Sequence, residues 1–347
     1  TQWPSSAASD VYKRQPVFRW FSFYIVYIGN RNDDSLSLLI LFMKIAVLSG
    51  WIDGEREVSL KSGTFVADTL RQTDHEIDEW ILPDQVDTFL KEYRSYDLSF
   101  PMFHGAYGED GTVFGLLEGL QIPHTHSSPG VHALCFDKHK TNALVSHLWV
   151  AVASSFLVRP WEVLKDDVLQ DQLSDKQFFV KPNTSGSSLG AYKVSDPKQL
   201  NGYIQKSQSD APGDTLVEEY IDGEEYSVGL IGNDELETTP IMKVRLDTAE
   251  FFDFDIKYHD KGGMETFPDD IPDSLHRLLT DQAKMVYRYL GCQTLARVDF
   301  IVSNGVPYFL EINTVPGFTE VSIIPRGWRM MGRTDQELFE KIIELSK

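Results

Sequence analysis

An α/β fold is predicted for this chain by three features. An apolar run at Met43–Gly50 ends in a glycine turn, helix-like and strand-like segments then alternate, and two strand-like runs, 298–302 and 306–313, flank the turn residues Ser303, Asn304 and Gly305. Alternation of strands with helices implies a parallel sheet, and a strand that is apolar on both faces belongs inside one. Two or three domains are expected for 347 residues.

Residues 1–42 differ in character from the rest, with a Ser/Ala-rich start and an apolar run, Val17–Ile28, interrupted by Arg19. That run is short for a membrane span, and the order is wrong for a signal peptide. Met43 is the better start, and the lead is read as artefactual or disordered, a membrane anchor being the alternative. Past Gly50 comes a helix-like run to Leu70, then a strand-like Leu98–Phe103 that ends in His104-Gly105. Ligands of parallel sheets gather at the carboxyl ends of strands, where Glu55 and His104 fall. The alternative for each residue taken alone is structural, Glu55 in a capping arrangement and His104 in an ordinary polar loop.

Phe178–Pro182 reads as a buried strand delivering Lys181 to a loop of small residues, Asn183–Gly190. Such loops can aim backbone amides at phosphate oxygens while a lysine supplies charge. The Gly-Lys-Ser/Thr ending of a P-loop is missing, and a hairpin tip is the alternative. Leu216–Tyr226 gives a strand, a glycine turn and a second strand, whose acids could be solvated edges.

The C-terminal hairpin carries the densest chemistry. If Ser303, Asn304 and Gly305 are all loop, with Gly305 left-handed, residue 299 pairs with 309 and 297 with 311. Arg297, Asp299, Glu311 and Asn313 then share a face, and a strict two-residue turn would break that arrangement. Oxygen ligands without thiolate or imidazole suit Mg²⁺. The alternative is a surface hairpin with scattered charges.

A formal charge of −20 argues against nucleic acid or an anionic membrane as partner, because phosphate backbones demand a basic face. Any bound phosphate must be met locally. Two cysteines, Cys135 and Cys292, form neither a zinc motif nor a disulfide framework, which fits a reducing cytoplasm.

Taken together, Glu55-Arg56-Glu57-Val58-Ser59, His104-Gly105 with Gly108-Glu109-Asp110-Gly111-Thr112, Asp137-Lys138, Val180-Lys181-Pro182 with Gly186-Ser187-Ser188, Lys257-Tyr258, Arg297-Val298-Asp299, and Glu311-Ile312-Asn313-Thr314 with Pro316-Gly317 resemble the D-alanine-D-alanine ligase family of ATP-grasp ligases. The resemblance runs from Met43 to the C-terminus. It implies a three-domain ATP-grasp architecture with an N-terminal parallel-sheet α/β domain, the boundaries falling near 43–137, 138–222 and 223–347. The implied reaction phosphorylates one D-alanine with ATP, and the amine of a second attacks the acyl phosphate, in peptidoglycan precursor synthesis.

By the same resemblance, Asp299, Glu311 and Asn313 hold two Mg²⁺ (or Mn²⁺). Lys138 and Lys181 meet ATP phosphates, Lys257 lies near the transferred phosphoryl group, Glu218 and Glu225 contact adenine and ribose, and Tyr220 and Ile221 wall the adenine slot. Arg297 and the Gly317 amide face the oxyanion. Glu55 pairs with the first D-alanine's ammonium, with Ser187 and Tyr258 hydrogen-bonded around it and His104 near that substrate's carboxylate, while Ser322 meets the second substrate's carboxylate. A mobile loop, Phe251–Pro268, a homodimer and a cytoplasmic enzyme are also implied.

Three departures from the family pattern stand out. Trp51 replaces a usual second glycine, Arg326-Gly327-Trp328-Arg329 replaces a smaller, more apolar stretch, and Asn183–Ser185 differs in detail. A D-alanine-D-serine or D-alanine-D-lactate variant, or a nucleotide binder that has lost ligation, are the alternatives. By resemblance to relatives alone, Tyr258 favours an amine nucleophile over a hydroxy acid.

Overall fold

The computed structural model of the chain describes residues 42–51, 54–165, 177–186, 189–246 and 263–347. The expectations placed on residues 1–41, Ser187, Lys257 and Tyr258 lie outside the described residues. The first sheet is parallel, with β1 (Lys44–Gly50) between β2 (Glu76–Leu82) and β3 (Leu98–Pro101). Residues 45–50 are buried, as a central parallel strand covered on both faces must be. α1 (Arg56–Leu70) covers one face through Ser59, Ser62, Gly63, Val66, Ala67 and Leu70, which recur at helical spacing. Gly63 permits the close approach, since a Cβ there would lie 2.6 Å from the Ser49 Cβ.

Trp51, immediately after β1, has φ 78°, a left-handed conformation that disfavours any side chain but glycine's. Its indole packs edge-on to Phe103, ring centroids 5.6 Å apart. This contact offsets part of that conformational cost.

α2 (Val86–Glu92), α3 (Thr112–Gly119), α4 (Pro129–Phe136) and α5 (Lys138–Ser146) follow. A four-stranded antiparallel sheet comes next, in the order β5 (Ser155–Val158), β8 (Thr215–Glu219), β6 (Phe178–Pro182), β7 (Tyr192–Val194), with the helix Leu200–Asp210 on β6. The third sheet uses β4 (Ala151–Val152), β9 (Glu224–Gly232), β10 (Leu236–Thr238), β11 (Met242–Leu246), β12 (Gly263–Thr266), β13 (Leu295–Ser303) and β14 (Val306–Asn313). Its path is β12-β11-β9-β13-β14-β4, with β10 on β9. The strands on either side of Gly223 therefore enter different sheets. β4 pairs in parallel with β14, and α5 packs on β14 and also on β5, so residues 138–152 bridge the second and third sheets.

The hairpin register differs from the expected one. The loop is the two-residue Asn304-Gly305, with φ 50° and 79°, since Ser303 pairs with Val306 and Phe300 with Phe309. Positive φ at both central residues matches the twist of the flanking strands and suits Asn-Gly. The register then shifts beyond Phe300, so that Asp299 pairs with Glu311 and Arg297 with Asn313, rather than with 309 and 311. Leu310 is the extra residue of this bulge. It undoes the inversion that a two-residue turn would otherwise impose, and the four polar side chains recover a common face.

The 18-residue helix Asp273–Leu290 lays Leu279, Ala283, Val286, Tyr287 and Leu290 against β9 and β13, and stops at the left-handed Gly291. The helix Asp335–Leu345 starts from a capping box, Thr334 with Glu337. Its Phe339 is fully buried, with ring centroids 5.8 Å from Phe65, 5.9 Å from Phe100 and 5.7 Å from Phe318. One apolar core thus joins the parallel sheet to the segment after β14. Replacing Phe339 by Ala is expected to cost about 3–5 kcal/mol, read as a lower denaturant midpoint; a change under about 1 kcal/mol would show that the aromatic cluster does not hold these parts together.

Candidate functional site

The hairpin face is a dense electrostatic knot. Arg297, two residues from Asp299 on the same strand, donates Nε to both Asp299 oxygens at 2.9 and 3.1 Å, and Nη2 to Oδ2 at 2.8 Å. Opposite Asp299 on β9 stands Ser227, whose hydroxyl donates to Oδ1 at 2.6 Å. Asn313, paired with Arg297 across the hairpin, donates to Asp299 Oδ2 at 3.0 Å. Gly229 faces Arg297 on β9. Burial alone would push the Arg297 guanidinium down, but Asp299, Glu311 and Glu265 raise it further above its ordinary value. It stays charged.

Glu311 is met from another element. Lys138 Nζ, at the start of α5, lies 3.3 Å from Glu311 Oε2 and donates to the Ser185 carbonyl at 2.6 Å. Asp137 caps α5 by accepting from the Lys140 amide at 3.1 Å and also accepts from Asn183 Nδ2 at 2.9 Å, while Asn183 Oδ1 accepts from the His139 amide at 2.9 Å. The loop after β6 is thereby clamped to the start of α5. Glu109, Lys138, Ser185, Glu311, Asn313 and Thr314 line a small cleft. Asp299, 2 % exposed, lies behind it.

On the second sheet, Phe179 pairs with Glu218 and Lys181 with Leu216, so Lys181 and Glu218 are diagonal neighbours on one face. Their charges meet at 2.7 Å, both buried, and Asn142 of α5 donates to the other Glu218 oxygen at 3.0 Å. Tyr220 and Ile221 lie half-buried in the link from β8 to β9, with the Lys193 ammonium 4.2 Å from the Tyr220 ring centroid. Glu225 sits on β9 opposite Ile301. Lys138, Lys181 and Glu218 therefore converge where α5 meets both sheets.

Glu55 precedes α1, and its carboxylate abuts the small-residue loop: a Cβ on Gly186 would lie 2.6 Å from Glu55 Oε2. His104, 4 % exposed, follows β3. Its Nδ1 faces two acceptors, the Val315 carbonyl at 3.1 Å and Glu109 Oε1 at 3.4 Å, and its Nε2 lies 3.3 Å from Ser62 Oγ. Nδ1 must therefore carry a proton. Burial pulls this imidazole down, but Glu109, Glu55 and the Val315 carbonyl together raise it above its ordinary value.

Gly317 and Ser322 are neighbours, since a Cβ on Gly317 would lie 3.2 Å from Ser322 Oγ. Ser322 begins the helix Ile323–Met330 and accepts from the Thr319 amide at 2.9 Å. Arg326, one turn on, donates to Glu265 Oε2 and to the Glu265 carbonyl, both at 3.1 Å, and lies over the Phe267 ring. Trp328 is buried.

Two opposed carboxylates repel, and here each is met by a cation, Asp299 by Arg297 and Glu311 by Lys138. Two carboxylates and an amide, all hard oxygen donors on one face, form a set that fits a divalent cation such as Mg²⁺ or Mn²⁺. The lysines and guanidinium around them fit a polyanionic substrate. Asn142, Asn183, Ser227 and Ser62 were not singled out as site residues from the sequence, and Glu109 was given no role. Asn142 could have been found, because it lies four residues after Lys138 and so on the same helix face. Asn183, Ser227 and Ser62 join elements far apart in the chain and leave no local signal, whereas Glu109 lies only five residues from His104.

Residues 152–344 match the family model described as D-ala D-ala ligase C-terminus. The chain is 33 % identical over 304 residues to the D-alanine–D-alanine ligase of Clostridium botulinum (strain Hall), covering 88 % of this chain and 98 % of that one. Among solved structures it resembles the Bacillus anthracis D-alanine–D-alanine ligase complexed with ATP, with TM-score 0.75, 28 % identity and coverage of 88 % and 97 %. It is equally similar in fold to the VanG D-Ala:D-Ser ligase from Enterococcus faecalis, with TM-score 0.75, 26 % identity and coverage of 88 % and 100 %.

The Glu109 contact makes a testable statement about His104. In a Glu109→Gln variant the largest opposing charge is gone, and the His104 titration, followed by NMR of its ring protons, should move toward or below its ordinary value of 6.5. A raised folded value stabilises the fold fully below 6.5 and loses that contribution as pH rises through the folded value. The variant should accordingly lose most stability on the acid side. An unmoved titration would remove Glu109 as the cause.

Proposed function

The chain belongs to the D-alanine-D-alanine ligase family, and we propose that its cleft joins two D-alanines, using ATP, into D-alanyl-D-alanine for peptidoglycan precursor synthesis. The observation that carries this reading is the set Arg297, Asp299, Glu311 and Asn313 on one hairpin face, backed by Lys138 and Lys181. A protein that merely bound nucleotide would have little need of all six. The three sheets are read as the cores of three ATP-grasp domains, with ATP between the second and third.

In this reading Lys138 and Lys181 gather the ATP phosphates, Glu218 and Glu225 receive adenine and ribose, and Tyr220 and Ile221 wall the base. The ion pairs Lys181–Glu218 and Lys138–Glu311 hold these side chains in place before substrate enters. Asp299, Glu311 and Asn313 would hold Mg²⁺ or Mn²⁺. When bound, the metal neutralises phosphate charge during phosphoryl transfer.

Glu55 receives the first D-alanine's ammonium, and His104, whose basicity Glu109 and Glu55 raise, favours that substrate's carboxylate. Ser187 and Tyr258 are assigned beside Glu55, and Lys257 beside the transferred phosphoryl group, from the family pattern. The γ-phosphoryl group passes to the carboxylate, the second D-alanine's amine attacks the acyl phosphate carbon, and phosphate leaves. In this reading, charge on the tetrahedral oxygen develops beside Arg297 and the Gly317 amide, because donors fixed before reaction need little reorganisation. Ser322, at a helix N-terminus, favours the second carboxylate. Excluding water protects the acyl phosphate from hydrolysis.

A cytoplasmic homodimer is part of the proposal. Among the described residues no helix is long and apolar enough to cross a membrane.

Phosphate release from ATP with Mg²⁺ should require D-alanine alone and yield the dipeptide by mass. Turnover only with added D-serine or D-lactate would move the acceptor and keep the mechanism. Arg297→Ala should lower kcat about 10²- to 10³-fold and leave the KM for ATP nearly unchanged, because Asp299 still accepts from Ser227 and Asn313. Equal loss in both would assign Arg297 to binding.

A further inference from the structure

One imidazole spans both ends of the turn that presents Gly317. His104 Nδ1 meets the Val315 carbonyl at 3.1 Å, and Nε2 lies 3.3 Å from Ser62 Oγ, which in turn accepts the Phe318 N–H at 3.3 Å. Ser62 and Phe318 are 0 % exposed. No solvent competes for these bonds. Val315 and Phe318 bracket Pro316-Gly317, and Gly317 borders Ser322.

A buried helical serine commonly returns its hydroxyl to the carbonyl four residues back, as Thr69 on the same helix does toward Phe65 at 2.8 Å. Ser62 instead reaches groups on two other segments, the one after β3 and the one after β14. α1 also starts immediately after Glu55. One rigid helix therefore carries the residue assigned to the first substrate's ammonium and a hydroxyl tied to the turn assigned to the oxyanion.

We propose that Ser62 is a positioning residue for ligation, which, with His104, fixes the Val315–Phe318 turn and so the placement of the Gly317 amide relative to Glu55. The proposal rests on the ligase reading for its catalytic consequence, whereas the clamp itself is a property of the fold. The hydroxyl is the active element. Its removal frees the Phe318 amide and lets the turn shift, and misplacement of a donor by a fraction of an ångström is costly in rate.

The test compares Ser62→Ala, Ser62→Thr and Ser62→Val in the ligation assay, together with amide hydrogen exchange at Phe318. Thr and Val have the same shape, so any steric cost of the added methyl groups cancels between them. Ala and Val should lower kcat about 10- to 100-fold with the KM for ATP within about twofold, while Thr stays within about threefold of the parent. Exchange at Phe318 should quicken in Ala and Val but not in Thr. Unaltered kcat in Ala, or equal losses in Thr and Val, would overturn the proposal. If the parent chain fails to ligate D-alanine, the ligase reading falls. Phe318 exchange then still decides the clamp, and an unchanged rate in Ala would overturn it.

Discussion

Two carboxylates held face to face across a hairpin must be met by cations, and this constraint organises the cleft. The pairing of Asp299 with Glu311 is imposed by backbone geometry, through the Asn304-Gly305 turn and the extra residue Leu310. Like charges directly opposite each other destabilise a sheet, so the fold supplies two cations from different directions. Arg297 comes along the same strand, and Lys138 comes from the first turn of α5. In a chain whose formal charge is −20, these cations are local exceptions. That local inversion is what lets an acidic protein receive a polyanion.

Buried ion pairs are poor sources of stability, because desolvation of both charges offsets much of their attraction. Lys181–Glu218 is such a pair, buried on both sides and supported by Asn142. Its presence is better explained by what it prepares than by what it stabilises. A lysine already desolvated and aimed by a carboxylate loses little freedom when a phosphate oxygen arrives. The Asp137–Asn183 clamp acts similarly on the backbone, holding the end of β6 against α5 so that Lys138 and Lys181 keep fixed relative positions.

Much of this was legible in the sequence, and the parts that were not have physical reasons. The alternation in Arg297-Val298-Asp299 and Glu311-Ile312-Asn313 announces a shared polar face, since side chains on a strand repeat every two residues. The register is not legible because Ser303-Asn304-Gly305 suits either a two- or a three-residue loop, and a bulge at Leu310 has no local signature. Trp51 in a left-handed conformation contradicts the glycine rule. It is understandable only once Phe103 is seen beneath it. β4, two residues long, pairs with a strand more than 150 positions away, beyond the reach of any periodicity.

Sequence reading also undervalued α1, whose serines look like ordinary helix filler. Ser59 accepts the Gly50 amide at 2.8 Å and donates to the Met102 carbonyl at 2.5 Å, tying the ends of β1 and β3 together, and Ser62 continues the pattern one turn later toward the hairpin's exit. The aromatic core around Phe339 holds the same regions from below, with Phe318 inside it. Apolar packing of this kind fixes where the segment after β14 lies but is insensitive to rotations that keep the area buried. Hydrogen bonds are directional and weaken steeply off axis. The core therefore sets the position of the Val315–Phe318 turn, and the buried hydroxyl and imidazole set the direction in which its amides point.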